Sequence, residues 1–175
     1  MKEKNWKLTA RDVAFVGMMT AVIEVCKVVL MGIPNVELTT FWVILFTLYF
    51  GQRIFYVVPV FILIEGMLFG FGMWWVMYLY AWPMLVIVTR MMKHMDSAMG
   101  WAVVSCVFGL LFGFLCSIPY FVLGAVDGGF LAGLQAGFAW FVAGIPFDII
   151  HGISNFFIML FLYHPVRNVM KLVKI

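Results

Sequence analysis

Long apolar runs alternate with short polar breaks along this chain, and the breaks carry the residues that end helices. Leu8 to Ile33 is apolar except for Arg11, Asp12, Glu24 and Lys27, and it closes on Gly32 and Pro34. Val36 to Phe50 is shorter, opens at Glu37 and stops at Gly51-Gln52-Arg53. Ile54 to Phe71 holds one charge, Glu65, before Gly66, Gly70 and Gly72 turn the chain toward Trp74. The run from Trp74 ends in a polar loop with Arg90, Lys93, His94 and Asp96, after which Met99 to Val126 has no charge at all. A bilayer is crossed by about 20 predominantly apolar residues, so these runs predict membrane spans.

Hydropathy leaves the last third open, because Phe130 to Ile145 is charge-free and glycine-rich while Phe147 to Tyr163 forms another apolar run beginning at Asp148. Charge placement decides the expectation. With the start of the chain inside, six spans put Lys2, Lys4, Lys7, Arg11, Arg53, Arg90, Lys93, Arg167, Lys171 and Lys174 on the cytoplasmic side, as the positive-inside rule requires. Lys27 is the exception. A seventh span would export the cationic tail. The expected architecture is therefore an all-α integral membrane protein: a compact six-helix transmembrane bundle with short loops, forming a single domain over 1–175. Spans are expected at about 8–33, 36–50, 54–71, 74–92, 99–123 and 146–163, with an extra outer-face helix at about 130–144. The expected location is the cell membrane, with multiple passes and both termini cytoplasmic.

Composition supports this and removes other classes. Of 175 residues, 66% are hydrophobic and 11% charged, against roughly 25% charged in soluble domains, too few to build a water-facing surface. The net charge of +3 follows from membrane topology and does not call for a nucleic-acid partner. Cys26, Cys106 and Cys116 lie inside apolar runs without metal-ligand spacing. No phosphate-binding G-x-x-x-x-G-K-[ST] loop, H-E-x-x-H or G-x-S-x-G signature occurs. The chain therefore gives no sign of hydrolysing ATP by the usual fold, of a cofactor of its own, of a metal site or of an enzymatic activity.

A charged group near the bilayer centre costs about 2.5–3.5 kcal/mol on insertion scales, so each one is a candidate for function. Glu24 and Lys27 stand three apart on one helical face, where they either neutralise each other or bracket a ligand. In the six-span topology Glu37, Glu65 and Asp148 gather toward the outer side. His151 and Asn155 follow Asp148 at spacings of three and seven, on one helical stripe. Trp74 and Tyr78, four apart, share a face on which a planar ring could stack, although Trp and Tyr also collect at membrane interfaces without any binding role. The candidate substrate-binding set is Lys27, Glu37, Glu65, Trp74, Tyr78, Asp148, His151 and Asn155. Ala14, Gly17 and Ala21 form a strip of small residues that lets another helix approach closely, inside the bundle or from a partner. Gly109 and Gly113 form a second small pair, with internal packing as the default.

The run of apolar segments, the small strip and the stretch Gly144-Ile-Pro-Phe-Asp-Ile-Ile-His-Gly-Ile-Ser-Asn155 together resemble the substrate-binding (S) components of energy-coupling factor vitamin transporters, over essentially the whole chain. The resemblance implies high-affinity capture of a small water-soluble vitamin on the outer side. It also implies a transmembrane coupling protein and two ATPase subunits as partners, with ATP used by those subunits alone. In that family the strip on the first span is usually Ala-x-x-x-Ala and contacts the coupling protein; here the nearest match is Gly17-Met-Met-Thr-Ala21. Two other functions compete. One is a self-sufficient carrier or channel with Glu24, Lys27 and Glu65 as a relay, and the other an intramembrane enzyme using Asp148 and His151.

Overall fold

The computed structural model describes residues 9–172. The expected first-span start at Leu8 and the cationic Lys2, Lys4, Lys7 and Lys174 lie outside them. The described residues are helical, without strands: α1 (Ala10–Leu30), α2 (Thr39–Phe50), a short 3-10 turn (Gly51–Arg53), α3 (Ile54–Phe69), α4 (Met73–Met91), α5 (Ala98–Leu110) and α6 (Phe112–Leu172). Three helical stretches, Ala10–Leu30, Thr39–Phe69 and Ala98–Leu172, are long and apolar enough to cross a membrane. α4, weighted with Trp and Tyr, is not among them.

Local chemistry sets the helix ends. Thr9 starts α1 with a reciprocal capping box: its hydroxyl accepts from the Asp12 N–H at 3.2 Å, while the Asp12 carboxylate accepts from the Thr9 N–H at 3.1 Å. The same carboxylate reaches Arg53 at 2.9 Å and ties the start of α1 to the turn after α2. Glu37 does the corresponding work for α2, accepting from the backbone N–H of Thr39 at 2.6 Å and of Thr40 at 3.2 Å. Ser97 opens α5 by accepting from the Gly100 N–H at 3.1 Å.

The expected outer-face helix over 130–144 is not a separate element. α6 folds back on itself at Gly129, whose φ of 82° only glycine adopts readily, and from 130 to 172 the chain continues as one helix through Pro146. Residues 112–128 form the opposing arm. Hydropathy could not show this, because a proline inside a membrane-type helix is tolerated where neighbouring helices cover the freed backbone groups. Small residues close the hairpin. A Cβ on Gly133 would lie 2.6 Å from the Phe121 carbonyl, and Tyr120 stacks on Trp140 with ring centroids 3.8 Å apart.

Farther along, α5 packs against the second arm of α6 at Gly109 and Gly152. A Cβ on Gly109 would meet the Gly152 nitrogen at 2.8 Å and its Cα at 2.9 Å. The backbones touch there, so Gly109 packs internally as expected. The break between α5 and α6 at Leu111 interrupts the helix that the expected span 99–123 would have kept whole. The core sits where α2, α3, α4 and α6 meet, around Phe41, Ile44, Phe61, Trp82 and Met159, with Trp101 of α5 added to it.

Candidate functional site

Residues 31–38 form the one long irregular segment between α1 and α2, with Asn35 at a positive φ of 59°. This segment faces the middle of α4 and of the second arm of α6. Ser154 on α6 holds it by donating to the Asn35 carbonyl at 3.0 Å. Under it lies a cavity of about 200 Å³, whose polar and aromatic wall includes Lys27, Glu37, Tyr78, Trp82, Phe112 and His151. Four of the sequence candidates, Lys27, Glu37, Tyr78 and His151, therefore meet.

Each wall residue is held from behind. The Glu37 carboxylate caps α2, accepts the Thr40 hydroxyl at 2.6 Å and lies 3.1 Å from His151 Nε2. His151 is in turn packed edge-on against Phe112, with centroids 4.9 Å apart. Lys27 reaches across from the last turn of α1 to form an ion pair with Glu65 on α3, and its ammonium donates to the Tyr78 hydroxyl at 3.3 Å. Its ammonium also lies 5.3 Å from the ring centroids of Phe69 and Tyr78 and 6.0 Å from that of Trp74, within range of cation–π attraction. The i, i+3 pairing of Glu24 with Lys27 that the sequence allowed is not formed. Lys27 turns to Glu65 instead, which is fully buried and brings aromatic company.

Lys27 also forms part of a second cavity of about 260 Å³, which it shares with Glu65, Phe69 and Trp74. Trp74 and Glu65 thus belong to this neighbouring space and not to the one beside His151. Trp74 and Tyr78 meet edge to face, at 82° and 5.2 Å, and do not present the parallel faces expected of a stacking pair.

Asp148 and Asn155 depart from expectation, since neither lines these cavities. Asp148 accepts the Gly113 N–H at 2.9 Å, just past the break between α5 and α6. Asn155 donates to the Thr40 hydroxyl at 3.3 Å and the Ser105 carbonyl at 3.5 Å. Both are buried seam residues. The stripe 148–151–155 was correctly placed on one face, but at about 1.5 Å per residue it runs roughly 10 Å along the axis, and its middle member alone reaches the cavity. His151 bonds Glu37, not Asp148.

Sequence reading missed Trp82, Phe112 and Thr40. Trp82 continues the spacing of four from Trp74 through Tyr78 and packs edge-on to Tyr78 at 5.4 Å, so that periodicity carried a usable signal. Thr40 stands three after Glu37, another local signal. Phe112 had none, being one more apolar residue in a charge-free run.

Ala14, Gly17 and Ala21 are all exposed on α1, and a Cβ on Gly17 would touch nothing within 4 Å. The strip faces outward. The start of α1, bound to Arg53 through Asp12, lies toward the opposite end of this 21-residue helix from Lys27, roughly 25 Å away. Comparison with family models, curated proteins and solved structures finds no match for this chain.

Proposed function

We propose that this chain is the substrate-capture subunit of an ATP-driven micronutrient importer, a six-span membrane protein with both ends in the cytoplasm that binds a small water-soluble, vitamin-like ligand from outside. It would act with a transmembrane coupling protein and two ATPase subunits, in the manner of the energy-coupling factor S components that its sequence resembles. The observation carrying this reading is the cavity under residues 31–38, where an ammonium, a carboxylate, an imidazole and three aromatic rings converge in an otherwise apolar helical protein.

Such a wall suits a polar ring system. Tyr78, Trp82 and Phe112 offer apolar surface, while Lys27, Glu37 and His151 offer donors and acceptors that fix orientation. The volume is below the roughly 300–1,000 Å³ of drug-sized pockets, which favours a compact single ring or small bicycle over a macrocycle. The outward strip at Ala14, Gly17 and Ala21 leaves a smooth surface for the coupling protein, running from the first turns of α1 to its middle.

Mass spectrometry of small molecules that copurify with the protein, followed by uptake assays with and without coupling and ATPase subunits, tests the reading. A bound heterocyclic metabolite with ATPase-dependent uptake is the expected result. Absence of any retained ligand, or uptake by this chain alone in vesicles, would defeat it. The second outcome would favour a self-sufficient carrier, a reading that the buried Glu24, Lys27 and Glu65 group keeps in play.

A further inference from the structure

Glu24 and Glu65 are the most deeply buried acidic pair in the described residues, at 9% and 0% exposure. They come from different helices, α1 and α3, that pack against each other, and Lys27 stands beside both, as the ion-pair partner of Glu65 and one helical turn after Glu24. Three of their four carboxylate oxygens, both of Glu24 and Oε1 of Glu65, have no hydrogen-bond donor; the fourth, Glu65 Oε2, is taken by Lys27. Orphaned carboxylate oxygens in an apolar interior are costly. Fully ionised, the two carboxylates and the single ammonium would also leave one negative charge in excess.

One hydrogen atom removes the excess charge and leaves only the Glu24 carbonyl oxygen without a partner. We infer that Glu24 and Glu65 share a single exchangeable proton, carried as a carboxylic acid on Glu24 and donated to Oε1 of Glu65. That bond satisfies Glu65 completely, gives Glu24 a donor role and makes the Glu24/Lys27/Glu65 group neutral. Among the described residues Tyr78 of α4 also reaches this group, its hydroxyl accepting from the Lys27 ammonium, and Glu37 lines the cavity that Lys27 and Tyr78 share. Tyr78 supplies no charge of its own. The proton exchanges with water through the cavity of about 260 Å³ that Glu65 and Lys27 line. This protonation site stands whatever molecule the neighbouring cavity accepts.

Infrared difference spectroscopy on the purified, reconstituted full chain reads the proton directly, with no ligand needed. At pH 7 the wild type should show a protonated carboxylic acid carbonyl band that shifts in D₂O, and its amplitude should fall in Glu24→Gln. That variant copies the protonated form, since its amide can donate to Glu65, so it should fold and keep the wild-type melting temperature. Glu65→Gln provides a second route: Lys27 is then free to pair with Glu24, three positions away, and the band should vanish through ionisation. Lys27→Met should raise the band up to about twofold, because two carboxylates without a cation both take protons. A wild type minus Glu24→Gln spectrum without a carboxylic acid feature would overturn the inference. Disappearance of the wild-type band in sodium relative to choline buffer would do so too, making the site one for a metal cation.

Discussion

His151 Nε2 lies 3.1 Å from Glu37 Oε1, although 114 positions separate them. The contact joins the cap of α2 to the second arm of α6 and closes one side of the cavity. Glu37 thus has two duties, holding two backbone N–H groups and orienting the imidazole.

Those duties separate by substitution. Glu37→Gln keeps a side-chain oxygen for the Thr39 N–H but removes the charge facing His151, whereas Glu37→Ala removes both. We expect Glu37→Ala to cost about 1–2 kcal/mol through the lost cap, seen as a lower melting temperature in detergent. Glu37→Gln and His151→Ala should melt closer to wild type yet weaken binding of the copurifying ligand at least tenfold, about 1.4 kcal/mol. Wild-type affinity in both would move the site away from this cavity.

Asp148 should behave in the opposite way. Asp148→Ala strands the Gly113 N–H beside the break between α5 and α6, at about 1–3 kcal/mol for a buried group left without its partner. The expected result is a lower melting temperature with ligand affinity changed less than by Lys27→Ala. Strong loss of affinity in a normally stable Asp148→Ala protein would show that its carboxylate reaches the ligand after all.

Two glycines in the membrane-type helices make a matched test. Gly109→Ala places a methyl against the Gly152 backbone, which cannot yield as a flexible side chain would, and should destabilise by about 1–3 kcal/mol. Gly17→Leu projects into open space and should leave both melting temperature and ligand binding unchanged. In the proposed importer it should nevertheless abolish uptake, because the strip would no longer admit the coupling protein. Normal uptake by Gly17→Leu would remove that surface from the partner interface.

Asp96 lies in the loop between α4 and α5. The hydrogen bond from Arg167 holds its carboxyl below the ordinary 3.8, with the Tyr163 hydroxyl and the charge of Lys171 adding to the effect. A depressed folded-state value means that the stabilisation is fully present above about pH 4 and is lost as pH falls through the folded value. Asp96→Asn should therefore be slightly less stable than wild type at neutral pH and show a flatter pH dependence below pH 4, where the two proteins converge. The side chain is 60% exposed, so the difference should shrink further in high salt. An unchanged acid limb in the variant would show that this pair has no part in it.

The helical, membrane-type character of the chain was legible from the spacing of apolar runs, and several helix ends from breakers such as Gly51-Gln52-Arg53 and Gly70 with Gly72. These depend on residues within a few positions of each other. His151 was also identifiable, because a polar stripe in an apolar helix has to face something other than lipid. What lay beyond reach were choices between distant partners. Whether Lys27 joins Glu24 or Glu65, whether Asp148 faces a ligand or Gly113, and whether 130–144 lies apart or runs on through Pro146 depend on how closely two backbones approach. Glycines at 109, 133 and 152 set that approach only in concert with the surfaces opposite them, and a linear pattern of hydropathy carries no record of those surfaces.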